Sequence, residues 1–479
     1  MTKALVTGAN GFIGSHLCEH LLRQGVEVIG LVRPTSDIRL LVPLMNEHGA
    51  RFRLLIGDLT QPQSLTAAVA GVDYVYHAAA KVMGTSEDEF RSAIVTGTKH
   101  LIEAVTRRKG PPPRRFLFIS SQAAAGPSPT SSPISESDQP NPVSWYGRAK
   151  LDAEQLLNAA SSFPYTIVRP VAVYGEREAD ISSGVFPAVQ LRILPRIGFR
   201  DKTVTTVYVK DLVAGIVAAA ESAAAVGRTY FLADPAPITA RQLTGAAAQA
   251  ADDLDGKRRF RVPIVVPQPL LRVVAQLSEW SHYFTRKRPQ LTRDKYREMK
   301  HPHWAASPAA ARRDFGWTAT TSLRDGMRAA VKDWRGRRRI LGDFVAQPDH
   351  ERVLQTYALA LAIGVLCEGL SYATALYRFN PGWFIVIAVL GYFGLMLGTL
   401  TFLTAAWAKH WQFVASAAVF IVVEMSNHYW LHLWDFSEGP LGQLNPWLRA
   451  GLLAIVIGLL PVIINAIIGT VYKLRLRIG

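Results

Sequence analysis

The segment Thr7-Gly8-Ala9-Asn10-Gly11-Phe12-Ile13-Gly14 constrains this chain more than any other. An apolar run, Ala4-Leu-Val-Thr7, precedes it and reads as a buried parallel strand, and Ile13 to Arg23 follows with helical periodicity. Three glycines at this spacing between a strand and a helix form a turn that a dinucleotide can occupy. Gly8 permits the tight turn, Gly11 lets backbone approach a pyrophosphate, and Gly14 allows helix and strand to pack closely. The helix N-terminus then offers unpaired N–H groups and the positive end of its dipole to phosphate. Asn10, Phe12 and Ile13 complete the loop as candidate cofactor contacts.

Further strands follow at the intervals of an α/β chain. Val26 to Val32 is the second, and Arg33 lies 19 residues beyond Gly14. An NAD site would place an acid about there to hold the ribose 2′-hydroxyl. No acid stands at that strand end, since Glu27 comes too early, and Arg33 with Ser36 can instead pair with a 2′-phosphate. NADP(H) is therefore favoured, with NAD(H) open. The third strand runs from Arg53 to Asp58-Leu59, where Asp58 can bond an adenine amino group or cap a helix near Pro62. Val72 to Ala80 is a fourth strand whose small residues, Ala78 and Ala79 among them, let backbone run close to a cofactor. The strand Arg115 to Ser121 ends in the hydroxyls of Ser120 and Ser121.

After a Pro/Ser-rich loop, Trp145 to Leu157 reads as a helix that puts Tyr146 and Lys150 on one face. A free tyrosine titrates near ~10 and is a poor base at neutral pH. A nearby ammonium favours its phenolate, so Tyr146 can accept or donate a proton at a substrate oxygen. Ser121, with Ser120 sharing the task, can hold the same oxygen, and Lys150 can also bind a ribose.

These segments, in this order, resemble the extended short-chain dehydrogenase/reductases over about residues 3–335. The likeness rests on Gly8/Gly11/Gly14, Asp58-Leu59, His77-Ala-Ala, Ser121 and Tyr146/Lys150. Arg169-Pro170-Val-Ala-Val173-Tyr-Gly175, Val207 to Leu212 and Trp304 to Trp334 also fit. The resemblance implies a Rossmann-type doubly wound parallel sheet with a small substrate-binding lobe, mainly 175–205 and 235–335. It implies that Ser121, Tyr146 and Lys150 are catalytic, that Pro170 and Val173 pack near the nicotinamide, and that the enzyme is a homodimer. Arg177, Arg192, Arg196 and Arg200 fall in the lobe, where they meet either solvent or an anionic substrate group. The segment after Arg169 looks closer to the 3β-hydroxysteroid dehydrogenase and dihydroflavonol reductase branch than to nucleotide-sugar epimerases.

From Val353 onward the chain is nearly continuously apolar. Stretches at about 353–376, 383–408, 411–434 and 448–472 are each long enough to span hydrocarbon, which predicts an all-α region of four transmembrane helices. Four spans put Arg337-Arg-Arg339 and Lys473 to Arg477 on the same, cytoplasmic side. Residues 336–352 then form a basic juxtamembrane linker. The net charge of +16 is placed for anionic lipid rather than nucleic acid, so membrane lipids are the expected partner and nucleic acid is not. Cys18 and Cys367 lie in different regions, and no disulfide is expected. The N-terminus enters a strand with no basic-then-apolar leader, which predicts a cytoplasmic catalytic part on a multi-pass membrane protein, of the inner membrane in a bacterium. Glu424, His428 and His432 recur every four residues in the third span. They can chelate or relay protons, but an interhelical hydrogen-bonding face or an interfacial helix is the plainer reading, and no metal is expected.

Together these features predict a membrane-anchored oxidoreductase acting on a hydroxyl or carbonyl of a lipophilic, sterol-like, terpenoid or lipid-linked molecule. The alternatives are a sugar epimerase or dehydratase with recycled NAD, and a membrane protein that senses dinucleotide without catalysis.

Overall fold

Alternate residues of the first strand, β1 (Lys3–Thr7), serve two different cores, and that division organises the fold. Ala4 and Val6 join Leu17, Cys18 and Leu21 on one face, while Leu5 joins Leu101, Ile102 and Leu157 on the other. A strand covered on both faces has no polar side, which is why these segments read as unbroken apolar runs. The structure, a computed structural model, describes residues 2–160, 162–178, 180–285 and 291–344. The four apolar stretches, Cys367 and the Glu424/His428/His432 group lie outside these residues. No helix among the described residues is long and apolar enough to cross a membrane.

The remaining strands of the main sheet are β2 (Glu27–Val32), β3 (Phe52–Ile56), β4 (Tyr74–His77), β5 (Arg115–Ile119), β6 (Tyr165–Pro170) and β7 (Thr229–Leu232). All seven are parallel, in the order β7-β6-β5-β4-β1-β2-β3. Strand order reverses between β1 and β4, and the crevice at the carboxyl ends of those two strands is where an open parallel sheet binds its ligand. Helices Phe12–Arg23 and Val209–Glu221 cover one face, and Gly97–Arg107 and Trp145–Ala160 the other.

A smaller lobe has its own core of Phe186, Val189, Ala247, Ala251, Met327, Val331 and Trp334. Two-stranded pairings of Ala172–Tyr174 with Thr206–Tyr208 and of Ile193–Ile197 with Val262–Val266 frame it. The final described helix, Leu323–Phe344, buries Met327, Ala330, Val331 and Trp334 on one stripe. The first residues of the expected 336–352 linker, up to Phe344, continue this helix. Arg335 pairs with Asp255 at 2.8 Å, and Arg337 pairs with Asp333 at 2.9 Å. The segments around Asp211 and Trp317 meet: the Trp317 indole donates to Asp211 O at 3.1 Å, and the Asp211 carboxylate accepts the Thr321 N–H at 2.7 Å.

His77 ends β4 in full burial, its ring between Thr7 Oγ1 (2.8 Å) and Thr98 Oγ1 (3.0 Å). Burial, reinforced by the Lys150 charge, lowers its pKa to about 3; burial likewise takes His16 to about 4. Because the folded values lie below the ordinary 6.5, the neutral rings stabilise fully above that pH and less as pH falls towards 4 and 3. The unfolding temperature of the nucleotide-free protein is expected to drop between about pH 6.5 and 4, and His77→Gln to drop less. Equal pH slopes in the two proteins would contradict this assignment.

Candidate active site

The glycine loop is built as its spacing predicts. Gly8 sits at φ +67°, and a Cβ there would stand 2.7 Å from Ala79 Cα. Gly14 is buried, and its Cβ would stand 2.1 Å from the Gly8 carbonyl oxygen. Gly11 is exposed and opens the helix Phe12–Arg23, whose start has no side-chain cap and no acid in its first turn. Phe12 and Ile13 pack against the interior, so their contribution to a ligand is backbone N–H. These residues fit a dinucleotide: side chains are excluded where backbone closes the cradle, and helix-start donors face outward without a side-chain acceptor.

Asn10 Nδ2 donates to Asp37 O at 3.3 Å, tying the loop to the turn after β2. Arg33 is exposed in that turn and makes no ion pair among the described residues, its backbone N–H bonding Ser36 Oγ at 3.0 Å. Asp37 is the nearby acid that sequence spacing overlooked. It is held by Arg39 Nε at 3.0 and 2.9 Å, which depresses its carboxyl to about 2. Asp58 Oδ1 accepts from the N–H and hydroxyl of Thr60, at 2.8 and 2.9 Å, so it shapes its own turn and does not cap the turn at Pro62. Leu59 is buried in the core, and Ala78 and Ala79 flank the glycine loop.

The helix Trp145–Ala160 carries Tyr146 and Lys150. Gly147 lets it approach the turn that follows β5, since a Cβ there would lie 2.3 Å from Ala123 O. Ser121 caps that turn, its Oγ accepting the Ala123 N–H at 3.1 Å, which leaves its own O–H as a donor. Tyr146 is half-buried, its ring edge-on to Phe90 at 6.2 Å. Lys150 is fully buried, donates from Nζ to Ile119 O at 2.7 Å and lies 4.8 Å over the Phe118 ring. Burial pulls its ammonium down to about 7, opposed by the charge of Glu154. One turn further on, Glu154 binds Arg169 through Nε (3.0 Å) and a second nitrogen (2.6 Å) and accepts the Ser120 hydroxyl at 2.5 Å. Ser120 thus anchors the helix, whereas the Ser121 O–H donates to no group among the described residues. Pro170 ends β6 in burial; Val173 is half-buried on the short strand beyond it.

Of the lobe arginines, Arg177 pairs with Glu19 at 2.6 Å and is structural. Arg192 and Arg200 are exposed and Arg196 is half-buried.

The helix Arg293–Met299 supplies residues that local sequence did not flag. Asp294, buried and 148 residues from Tyr146, accepts the backbone N–H groups of Trp145 at 2.7 Å and Tyr146 at 3.2 Å. Glu298 accepts the Ser144 hydroxyl at 2.8 Å, and Ser144 Oγ accepts the Gly147 N–H at 3.0 Å. The lobe therefore caps the helix at its tyrosine. Asp294→Ala is expected to cost ~1–2 kcal/mol of stability through the lost cap. It should also lower turnover about 10- to 100-fold through displacement of Tyr146, with nucleotide affinity unchanged. Asp294→Asn should recover part of both; unchanged turnover in Asp294→Ala would refute the positioning role.

Residues 4–233 match the NAD dependent epimerase/dehydratase family. A 2-alkyl-3-oxoalkanoate reductase of Stenotrophomonas maltophilia is 29% identical over 349 residues, 68% of this chain and 97% of its own. A 3-beta-hydroxysteroid dehydrogenase of Mycolicibacterium neoaurum is 26% identical, over 66% of this chain and 86% of its own. Among solved structures, the UDP-glucuronic acid 4-epimerase of Bacillus cereus in complex with NAD superposes with a TM-score of 0.54 at 24% identity. The match covers 70% of this chain and 99% of that one, a likeness of fold. The glycine cradle, the sheet order and the tyrosine helix thus belong to one inheritance: residues 4–233, which carry them, form a domain of the NAD dependent epimerase/dehydratase family, the extended short-chain dehydrogenase/reductases.

Proposed function

We propose that this protein is a membrane-anchored, NADP(H)-linked oxidoreductase that interconverts a hydroxyl and a carbonyl on a lipophilic substrate. The observation that carries the chemistry is the placement of Lys150, buried on the helix of Tyr146 and fixed to Ile119 O. NADP(H), when bound, supplies or accepts the hydride. Tyr146 moves the proton at the substrate oxygen, the Lys150 charge favours its phenolate, and the Ser121 O–H holds the same oxygen.

The preference for NADP(H) rests on charge. Arg33 is exposed and without an ionic partner among the described residues, whereas Asp37, the nearby acid, is occupied by Arg39. A 2′-phosphate meets an available guanidinium there, and a 2′-hydroxyl meets no available carboxylate. The lipophilic substrate is supported by the names of two relatives, one acting on alkyl-oxoalkanoates and one on a steroid. The four apolar stretches after residue 353 support a membrane anchor for the cytoplasmic catalytic part.

Tyr146→Phe is expected to lower NADPH-dependent reduction of lipophilic ketones by about 100- to 10,000-fold while nucleotide still binds. Arg33→Ala should weaken NADP(H) about 10- to 100-fold and leave NAD(H) affinity unchanged. Wild-type protein that purifies with tightly held NAD and shows no net nucleotide turnover would favour an epimerase instead. Full cellular function in Tyr146→Phe would point to a dinucleotide sensor.

A further inference from the structure

The helix Gln268–Thr285 is amphipathic in the opposite sense from a helix that closes its own lobe. Leu270, Val273, Val274 and Leu277 are 51, 53, 43 and 56% exposed, and their i, i+3, i+4, i+7 spacing sets them on one face. Over residues 268–280 the buried positions are Ala275 and Glu279, and Glu279 is paired with Arg293 of the capping helix at 2.5 Å. The helix thus docks by a small and an ionic residue and turns leucine and valine outward. The strand Val262–Val266 that leads into it is also exposed over its first three residues, Val262 and Ile264 included, after an 82%-exposed Phe260.

The unpaired charge of this surface has one sign. From Gly256 to Ser278 the chain holds five lysines and arginines and no aspartate or glutamate. Arg259 and Arg261 are paired with Asp255 and Asp252, while Lys257, Arg258 and Arg272 are exposed and make no ion pair among the described residues. An apolar face bordered by unpaired cations, with the neighbouring Asp252 and Asp255 already ion-paired, matches the boundary between acyl chains and anionic headgroups. Two copies of the face set against each other would bring those cations together, which argues against self-association.

We infer that this face is a membrane-interfacial surface that lies on an anionic bilayer, its leucines and valines among the upper acyl chains and Lys257, Arg258 and Arg272 on lipid phosphates. It rests on the oxidoreductase reading for its purpose, presenting the site to a substrate dissolved in lipid. The contact itself follows from exposure and charge.

The test uses the full chain in vesicles of equal parts phosphatidylcholine and phosphatidylglycerol. A polarity-sensitive fluorophore is placed at Leu277→Cys, and separately at Val273→Cys, in a Cys367→Ser background in which Cys18 is buried. The reference site is Met45→Cys, on the nucleotide-binding half. Acyl-brominated lipids should quench both lobe probes severalfold more than the reference, with blue-shifted emission. Replacing phosphatidylglycerol with phosphatidylcholine, or Lys257, Arg258 and Arg272 with glutamine, should reduce that quenching. Quenching no greater than at the reference site overturns the inference. Blue-shifted emission without quenching also overturns it, because the face is then covered by protein. NADPH oxidation on a lipophilic ketone is followed in the same samples. Activity without quenching removes the surface alone, and quenching without activity removes the proposed reaction alone.

Discussion

The site depends on how one helix is fastened to the edge of the sheet. Lys150 is a cation taken wholly out of water, held by the carbonyl of Ile119 at the end of β5. Such burial is costly, and it persists where neighbours over-determine it. Here they do: a turn later Glu154 joins the helix to Arg169 on β6 and to Ser120 after β5. Gly147 removes the side chain that would hold the helix off the Ser121 turn. Tyr146 stands at the end of this fastened segment, so its position is set by these buried contacts together with its ring's edge-on packing against Phe90. The lowered pKa of Lys150, about 7, is the same burial seen as titration.

Much of this was legible in the sequence because its signals are local. Strand, glycine spacing and helix specify the loop from Thr7 to Gly14, and the structure supplies the reason for two of its three glycines: Ala79 crowds Gly8, and the Gly8 carbonyl crowds Gly14. Strand ends were read too long, since β3 stops at Ile56 and β5 at Ile119, where Gly57 and the Ser120–Ser121 turn leave the ladder. What local pattern could not show was long-range pairing. Ile193–Ile197 contains a proline and an arginine and becomes a strand only because Val262–Val266 lies beside it. Asp294 reads as an ordinary helix-start acid, and its service to the Trp145 and Tyr146 N–H groups exists only after the lobe folds back. The basic run at Arg335 looked like free juxtamembrane charge, yet its first members are spent on Asp255 and Asp333.

The lobe is therefore more than a wall for substrate. Its capping helix touches the start of the tyrosine helix through Asp294 and Glu298, and touches the outward-facing helix through Arg293 and Glu279. One short element is thus bonded at one side to Tyr146, the proposed proton-transfer residue, and at the other to the surface assigned to lipid. Glu279 and Asp294, both buried acids, are where that linkage is concentrated.

The central claim is net hydride transfer to a lipophilic carbonyl, and isotope transfer tests it most directly. NADPH deuterated at nicotinamide C4 is incubated with the full chain and a medium-chain 3-oxo acid or a ketosteroid in vesicles, and the product is analysed by mass spectrometry. The account predicts one deuterium on the new carbinol carbon for each NADPH oxidised, with labelled product forming far more slowly in Tyr146→Phe. Product free of deuterium, or no NADPH consumed while bound NAD stays on the protein, would contradict it.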